Sequence, residues 1–337
     1  MLMNRPTTFE VRIPAYERPE MLRRAVKSLQ GQTYPHWRAV VFDDSASSDL
    51  RDVILGIADE RISYVRNPQK LGAAGNIDQC FSPVRVSGGD YGCLLEDDNF
   101  WLPDFLSLIV NHIVKNGWDL ILANQRISEE GVGLHPANET TRGQWFSAGS
   151  VAPLDLRARL FLIEGLSNGG LLWRLGGKTD LRVGPKVQEP GLQEACRSLL
   201  VKTPFLFIED AQAVYTFMPK SKTARATETH RSFGRGMQSI RDFVLRVHGR
   251  SVVHVAKALA TQLGLGTRLA EALAYSGRPH LVGELFRESA PLVCRAFAKG
   301  LAIRLVERDP CADFLKSLLS EDFRSGMSHC LVHPQIM

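Results

Sequence analysis

Two acidic clusters carry most of the chemical potential of this sequence. Glu96, Asp97 and Asp98 are three consecutive carboxylates. Such a group suits a hard divalent cation, because Mg2+ and Mn2+ take oxygen ligands and complete their shells with water or phosphate oxygens. The competing account is a solvated loop. Helix capping does not explain the cluster, since Pro103 as a first helical residue would put the cap at Leu102. Asp43 and Asp44 form the second cluster. They are suited to accept hydrogen bonds from a nucleobase or from ribose hydroxyls, or they belong to a turn whose Ser45, Ser47 or Ser48 caps the next helix. Tyr16, in IPAYERP (13–19), either stacks on a base or packs a turn. In RNPQKLGAAGN (66–76), Arg66 and Lys70 add positive charge, and Gly72 and Gly75 let a backbone approach a ligand. That segment is not G-x-G-x-x-G, so a dinucleotide fingerprint is not supported. Glu189 precedes Pro190 and is therefore either a helix N-cap or a general base held by its helix.

The elements that must position these groups alternate. FEVRI (9–13) reads as a strand, and Pro19 opens a helix with Leu22, Ala25, Val26 and Leu29 at helical spacing. RAVVFDD (38–44) is a strand apolar on both faces, as between two helix layers. A helix near 49–58, a strand near 61–66, a helix near 72–82 and the strand YGCLLEDD (91–98) follow. Pro103 starts another helix, and WDLILAN (118–124) is a fifth strand. This alternation predicts a doubly wound, mostly parallel sheet. Both acidic clusters fall at carboxyl ends of strands, where such sheets bind ligands. Further on, the pattern gives a helix at 155–163, a strand at 169–174, a helix at 190–201 and short strands at 205–209 and 212–217. Helical periodicity marks 238–248, 251–263, 267–276 and 290–306.

The 337 residues are 44% hydrophobic and 23% charged, an ordinary globular composition that excludes disordered, collagen-like and disulfide-scaffold classes. The net charge of +5 is concentrated: residues 220–250 hold eight Lys/Arg against two Asp/Glu. Six scattered cysteines without CxxC spacing, and an N-terminus without an apolar leader, lead us to expect a reduced, cytoplasmic protein. Within 290–308, basic residues alternate with Leu292, Val293, Phe297, Leu301 and Leu305. That helix either packs on the core, makes a homodimer, or touches a membrane face peripherally.

Four segments together, IPAYERPEMLRRAVKSLQGQTYPHW, VVFDDSASSD, NPQKLGAAGN and LLEDDNFWLPDFL, resemble the inverting family 2 glycosyltransferases. The likeness is strong over about 9–115 and looser to about 217. It implies a GT-A fold, an α/β doubly wound mostly parallel sheet, here with a C-terminal helical extension. The implied division is a catalytic domain at 1–219, a basic loop or lid at 220–240 and a helical region at 241–337. By the same resemblance Ala15, Tyr16, Glu17, Arg18 and Asp44 cradle the base and ribose, and Arg66 and Asn76 lie along the nucleotide. Asp97 and Asp98 match the DxD-type motif, with Asp98 the ligand of Mn2+ or Mg2+. This chain has Glu-Asp-Asp-Asn for Asp-x-Asp-Asp, which leaves open whether Glu96 reaches the metal. GLSNGGLLWR (165–174) is similar to an acceptor-side segment, and the usual Glu-Asp base pair is not intact. Glu189 is the expected base, with Glu194 and Asp180 as rivals.

The implied activity is metal-dependent, inverting transfer from a nucleoside diphosphate sugar to an acceptor hydroxyl of a saccharide, lipid-linked glycan or natural product. The alternative is a non-catalytic nucleotide-sugar binding module. In the transfer reading, Arg225, His230, Arg231 or Arg235 would close on the diphosphate leaving group as a lid; the other account of this segment is a solvated linker. No nucleic-acid module is recognised, so a nucleic-acid partner is not expected.

Overall fold

A computed structural model describes residues 5–47, 49–163, 165–177, 179–218, 226–278, 280–281 and 290–324, with backbone alone at 226–230, 290–291 and 321–324. The first half alternates as expected: β1 (Phe9–Ala15), α1 (Pro19–Gln30), β2 (Trp37–Asp43), α2 (Asp49–Ile57), β3 (Ile62–Arg66), α3 (Gly72–Gln79) and β4 (Tyr91–Leu94). The acids Glu96–Asp98 follow β4 in a turn instead of extending the strand. A two-residue strand, β5 (Phe100–Trp101), leads to α4 (Phe105–Asn116). Pro103 lies before α4 and does not begin it; Asp104 is the residue preceding the first turn.

The second half is less regular. β6 (Leu120–Glu129) runs five residues past the expected end. β7 (Gly133–Leu134), β8 (Gly149–Val151), α5 (Pro153–Arg159), a 3-10 turn (Asn168–Gly170), β9 (Leu171–Arg174) and α6 (Pro190–Leu200) follow. The two short strands expected after α6 are one, β10 (Phe205–Phe217), whose pairing with β6 shifts register between Ile208 and Ala213.

The sheet order is β3-β2-β1-β4-β9-β6-β10-β5, with β7 against β6 and β8 against β10. β1, β2, β3 and β4 are parallel neighbours, as are β6 and β10, while β9 runs antiparallel between β4 and β6. Side chains alternate between faces. Ile121 and Ala123 of β6 join Ile13, Leu22 and Ile109 in one apolar cluster, whereas Leu120 and Leu122 join Phe161, Leu192 and Phe205 in another. The sheet is thus covered on both faces, as its alternating elements require.

The second cluster continues without a break into the C-terminal helices through Met237, Ile240, Val244, Leu269 and Leu273. Those helices are α7 (Ala226–Gln262), α8 (Gly266–Tyr275), α9 (Ala290–Val306) and α10 (Ala312–Arg324). Gly249, at φ 56 and ψ −139, kinks α7. Of the basic loop or lid expected at 220–240, the part from Ala226 is helical, with Met237 and Ile240 buried at helical spacing on a helix that packs against α5 and α6. Residues 219–225, including Arg225, lie outside the described residues, as does the side chain of His230. Among the described residues no helix is long and apolar enough to cross a membrane.

Candidate functional site

The carboxyl ends of β1, β2 and β4 meet at one cleft. β1 ends at buried Ala15, and the chain then turns so that the Tyr16 N–H donates to Asp97 Oδ2 at 3.0 Å. Glu17 adopts φ 50, an uncommon conformation for a side-chain-bearing residue, and its N–H donates to Ser45 Oγ at 2.9 Å. That twist points Arg18 back across the cleft. Its guanidinium forks, Nη2 to Asp97 Oδ1 at 2.6 Å and Nη1 to Asp98 Oδ2 at 2.5 Å. Arg24 of α1 supports the same turn by donating to the Asp98 carbonyl at 2.7 Å. Asn99 ties it to β10, since its Oδ1 accepts from the Thr216 N–H at 2.8 Å.

Electrostatics in this cleft are unbalanced. Burial pushes Glu96 up to about 8, with the charges of Asp98, Glu194 and Asp97 adding to it against Arg18. Burial likewise raises Asp97 to about 7, although Arg18 opposes the rise. Tyr215 of β10 is raised by burial and then by Glu96, Asp98 and Glu194. Glu96, Asp97 and Asp98 therefore share one field with the Arg18 fork, while Glu194, whose charge also reaches Glu96, is paired with Arg142. Such a site attracts a further cation.

Asp43 and Asp44 divide their work. Asp43 is buried and accepts from Tyr64 Oη at 2.5 Å and the Ser45 N–H at 2.8 Å, a structural role. Asp44 accepts from Asn67 Nδ2, the Leu71 N–H and the Gly72 N–H, each at 2.8 Å, and so shapes the loop into α3. Asn76 donates to the carbonyls of Ala15 and Phe42, tying α3 to the ends of β1 and β2. Lys70 donates to Tyr16 Oη at 2.8 Å and lies 4.5 Å from the ring centroid.

Of the residues named from sequence, Ala15, Tyr16, Arg18, Asn76, Asp97 and Asp98 line one cavity of about 130 Å³. Asp44 lies behind it through the loop it organises. Glu17 is exposed and does not line the cavity, and Arg66 turns to the carbonyls of Ser45 and Ala46. Glu189 caps α6, accepting from the Leu192 N–H at 2.7 Å. Asp180 is exposed and paired with Arg182 at 2.6 Å, which holds its carboxyl low against the effect of burial. Arg231 is exposed on α7, and Arg235 faces Ser239 and Asp309 in a different cavity. Glu194 is the candidate base whose charge reaches Glu96. It accepts from the Asn168 N–H at 2.9 Å and pairs with Arg142 at 3.3 Å.

Sequence reasoning missed the frame around Glu194. Arg197, one turn along α6, is fully buried and lies 3.7 Å from the Phe81 ring centroid. It donates to Asp78 Oδ1 at 2.9 Å, Asn168 Oδ1 at 2.6 Å and the Leu181 carbonyl at 2.9 Å. Asp78 also accepts from the Val183 and Gly184 N–H groups at 2.8 Å. One network thus joins α3, the 181–184 loop, the 3-10 turn and α6. Gly170 in that turn admits no side chain, since a Cβ there would lie 2.2 Å from the Ala123 carbonyl oxygen.

No group of three His, Cys, Asp or Glu among the described residues is arranged to hold a metal alone. Asp97 and Asp98 nevertheless already share one cation, the Arg18 guanidinium, with carboxylate charge in excess. This donor set fits a divalent ion that takes one or two carboxylates from protein and its remaining oxygens from a phosphorylated ligand.

Residues 10–158 match the glycosyl transferase family 2 profile. The chain is 26% identical over 115 residues to the UDP-Glc:alpha-D-GlcNAc-diphosphoundecaprenol beta-1,3-glucosyltransferase WfgD of Escherichia coli, covering 34% of this chain and 44% of that one. It is 29% identical over 122 residues to the GalNAc(5)-diNAcBac-PP-undecaprenol beta-1,3-glucosyltransferase of Campylobacter jejuni, covering 35% and 38%. The chain thus spans less than half the length of these relatives. In fold it is similar to S. aureus TarS 1-349, with a TM-score of 0.56 at 15% identity over 96% of this chain and 93% of that one.

Proposed function

We propose, from the family 2 glycosyltransferase match over residues 10–158 and the likeness in fold to TarS, that the chain transfers a sugar, with inversion, from a nucleoside diphosphate sugar to an acceptor hydroxyl. The observation that carries this reading is the Arg18 fork across Asp97 and Asp98 in a cavity at the strand ends. A uridine diphosphate donor and a lipid-linked acceptor are the preferred substrates, by analogy with the substrates named for WfgD. Asp98, half-buried beside Asp97, would hold Mn2+ or Mg2+. Such an ion would supply charge stabilisation for the diphosphate leaving group.

The chain's own residues account for the rest. Asp44 and the loop it organises, with Tyr16 and Lys70, would bind base and ribose. Arg18, once released from Asp97 and Asp98, presents a fork matched to phosphate oxygens. Glu194 takes the acceptor proton; Asn168 and Arg142 fix its two carboxylate oxygens. This assignment moves the base from Glu189, whose carboxylate caps α6.

The test is release of nucleoside diphosphate from a panel of UDP-, GDP-, dTDP- and CDP-sugars with Mn2+ and lipid-linked or saccharide acceptors. Glu194→Gln should cut turnover by about 100-fold or more while leaving nucleotide binding unchanged. Near-normal turnover in that variant would refute the base assignment. Metal-dependent UDP binding without transfer to any acceptor would favour a non-catalytic binding module.

A further inference from the structure

We propose that the C-terminal helices hold a second binding site, separate from the strand-end cavity, for a phosphate group. Arg235 and Arg246 of α7, Arg304 of α9 and Lys316 of α10 line a cavity of about 280 Å³. The acids lining it are Asp242 and Asp309. Asp242 is shared between Arg246 at 2.6 Å and Arg278 at 2.9 Å, and Asp309 lies 3.9 Å from Arg235. Four cations thus line the cavity with two carboxylates, one of which, Asp242, is also drawn to Arg278 from outside it.

The surplus is not simply spread into solvent. The Nε atoms of both Arg235 and Arg304 are buried without a hydrogen-bond partner. Arg304 spends Nη2 on the Ser276 carbonyl at 2.5 Å. Its charged form is disfavoured by burial and by Arg235, Arg278 and Arg246, with Asp242 opposing. A buried guanidinium donor without an acceptor is costly, and like charges gathered in low dielectric add to the cost. An anion in the cavity, with several acceptor oxygens, would offset the like-charge cost.

Guanidinium forks match phosphate oxygens bidentately, and the Lys316 ammonium serves as a point charge. Phe243, Leu315 and Leu319 line the remaining wall, so the phosphate can carry an apolar group. A free phosphate and a phospholipid headgroup share this chemistry. Leu301, Leu305 and Val306 are exposed on α9 near Arg304, which keeps the lipid source in contention.

This site stands independently of the donor-site proposal. The test follows thermal unfolding of the full chain with inorganic phosphate against chloride at equal ionic strength, and co-sedimentation with phosphatidic acid or phosphatidylcholine vesicles. Wild type, Arg246→Ala and Arg304→Met are compared, with the UDP-induced shift as a control for the donor site. The expected result is a rise of a few degrees in about 10 mM phosphate that both variants lose while keeping the UDP shift. Phosphatidic-acid binding lost in both variants, without a phosphate response, supports the same site with a lipid headgroup as its source. No response to either probe, or a response that both variants retain, overturns the proposal. If Arg304→Met fails to fold, Arg246→Ala decides alone, because that side chain is 69% exposed.

Discussion

Replacing Glu96 with Gln isolates the cost of charge in the strand-end cleft. Glu96 titrates at about 8 in the folded chain, against 4.5 ordinarily, through burial and the neighbouring carboxylates Asp98, Glu194 and Asp97. Between those values the folded protein keeps a proton that the unfolded chain has released. Stability from this group is therefore complete below about 4.5, falls as pH rises, and is lost by about 8. At about 1.36 kcal/mol per pH unit, the window sets an upper bound of roughly 5 kcal/mol. Glu96 keeps partial solvent contact, which screens its neighbours and brings the fall to about 2–3 kcal/mol. Gln cannot ionise, and its carbonyl oxygen can still accept from Asn99 Nδ2, now 2.7 Å from Glu96 Oε2. The variant should match wild type near pH 5 and exceed it by about 2–3 kcal/mol near pH 8. Urea titrations at four pH values, without divalent cations, measure this. Asp97 remains in both proteins and titrates at about 7, so the slope shrinks without vanishing. Parallel profiles, or a wild type more stable than the variant near pH 8, would refute the reasoning.

Arg197→Met strips a buried charge pair and three hydrogen bonds. The loss should be about 3–5 kcal/mol in urea unfolding, and Lys should not rescue it, because one ammonium cannot reproduce the fork. Glu189→Ala removes the α6 cap and should cost about 1 kcal/mol by the same measurement, with turnover within a few-fold of wild type. Gly170→Ala drives a methyl into the Ala123 carbonyl. It should lower the melting temperature through a loss of about 1–3 kcal/mol or more.

The first half of the fold was legible because each helix there carries its own apolar stripe and each strand its own alternation. Leu22, Ala25, Val26 and Leu29 are buried as their spacing predicts. β10 was split in two because Glu209, Asp210 and Gln212 interrupt the apolar run, whereas the backbone continues through a register shift. Glu10 and Arg12 are buried in β1; they bond each other and the 80–87 segment, a compensation between distant residues that no local pattern reveals. The acids at strand ends were legible from topology alone. Glu189 and Glu194 were not separable, because Pro190 marks the start of a helix without saying which carboxylate turns back onto the cap. Arg235 was read with the lid because charge was counted along the chain, while its neighbours Arg304 and Lys316 come from helices about 70 residues or more away.

Arg18 gives the acid cluster a counter-ion built into the chain. An intramolecular cation acts at an effective concentration of millimolar or more, set by the short turn that carries it. Because it is tethered, this cation stays beside Asp97 and Asp98 without being drawn from solution. A divalent ion arriving with its own phosphates meets a different balance, since the displaced fork gains those phosphates as a new partner. Under the proposed transfer, Arg18 would thus exchange its carboxylate partners for phosphate oxygens as the donor and its cation arrive.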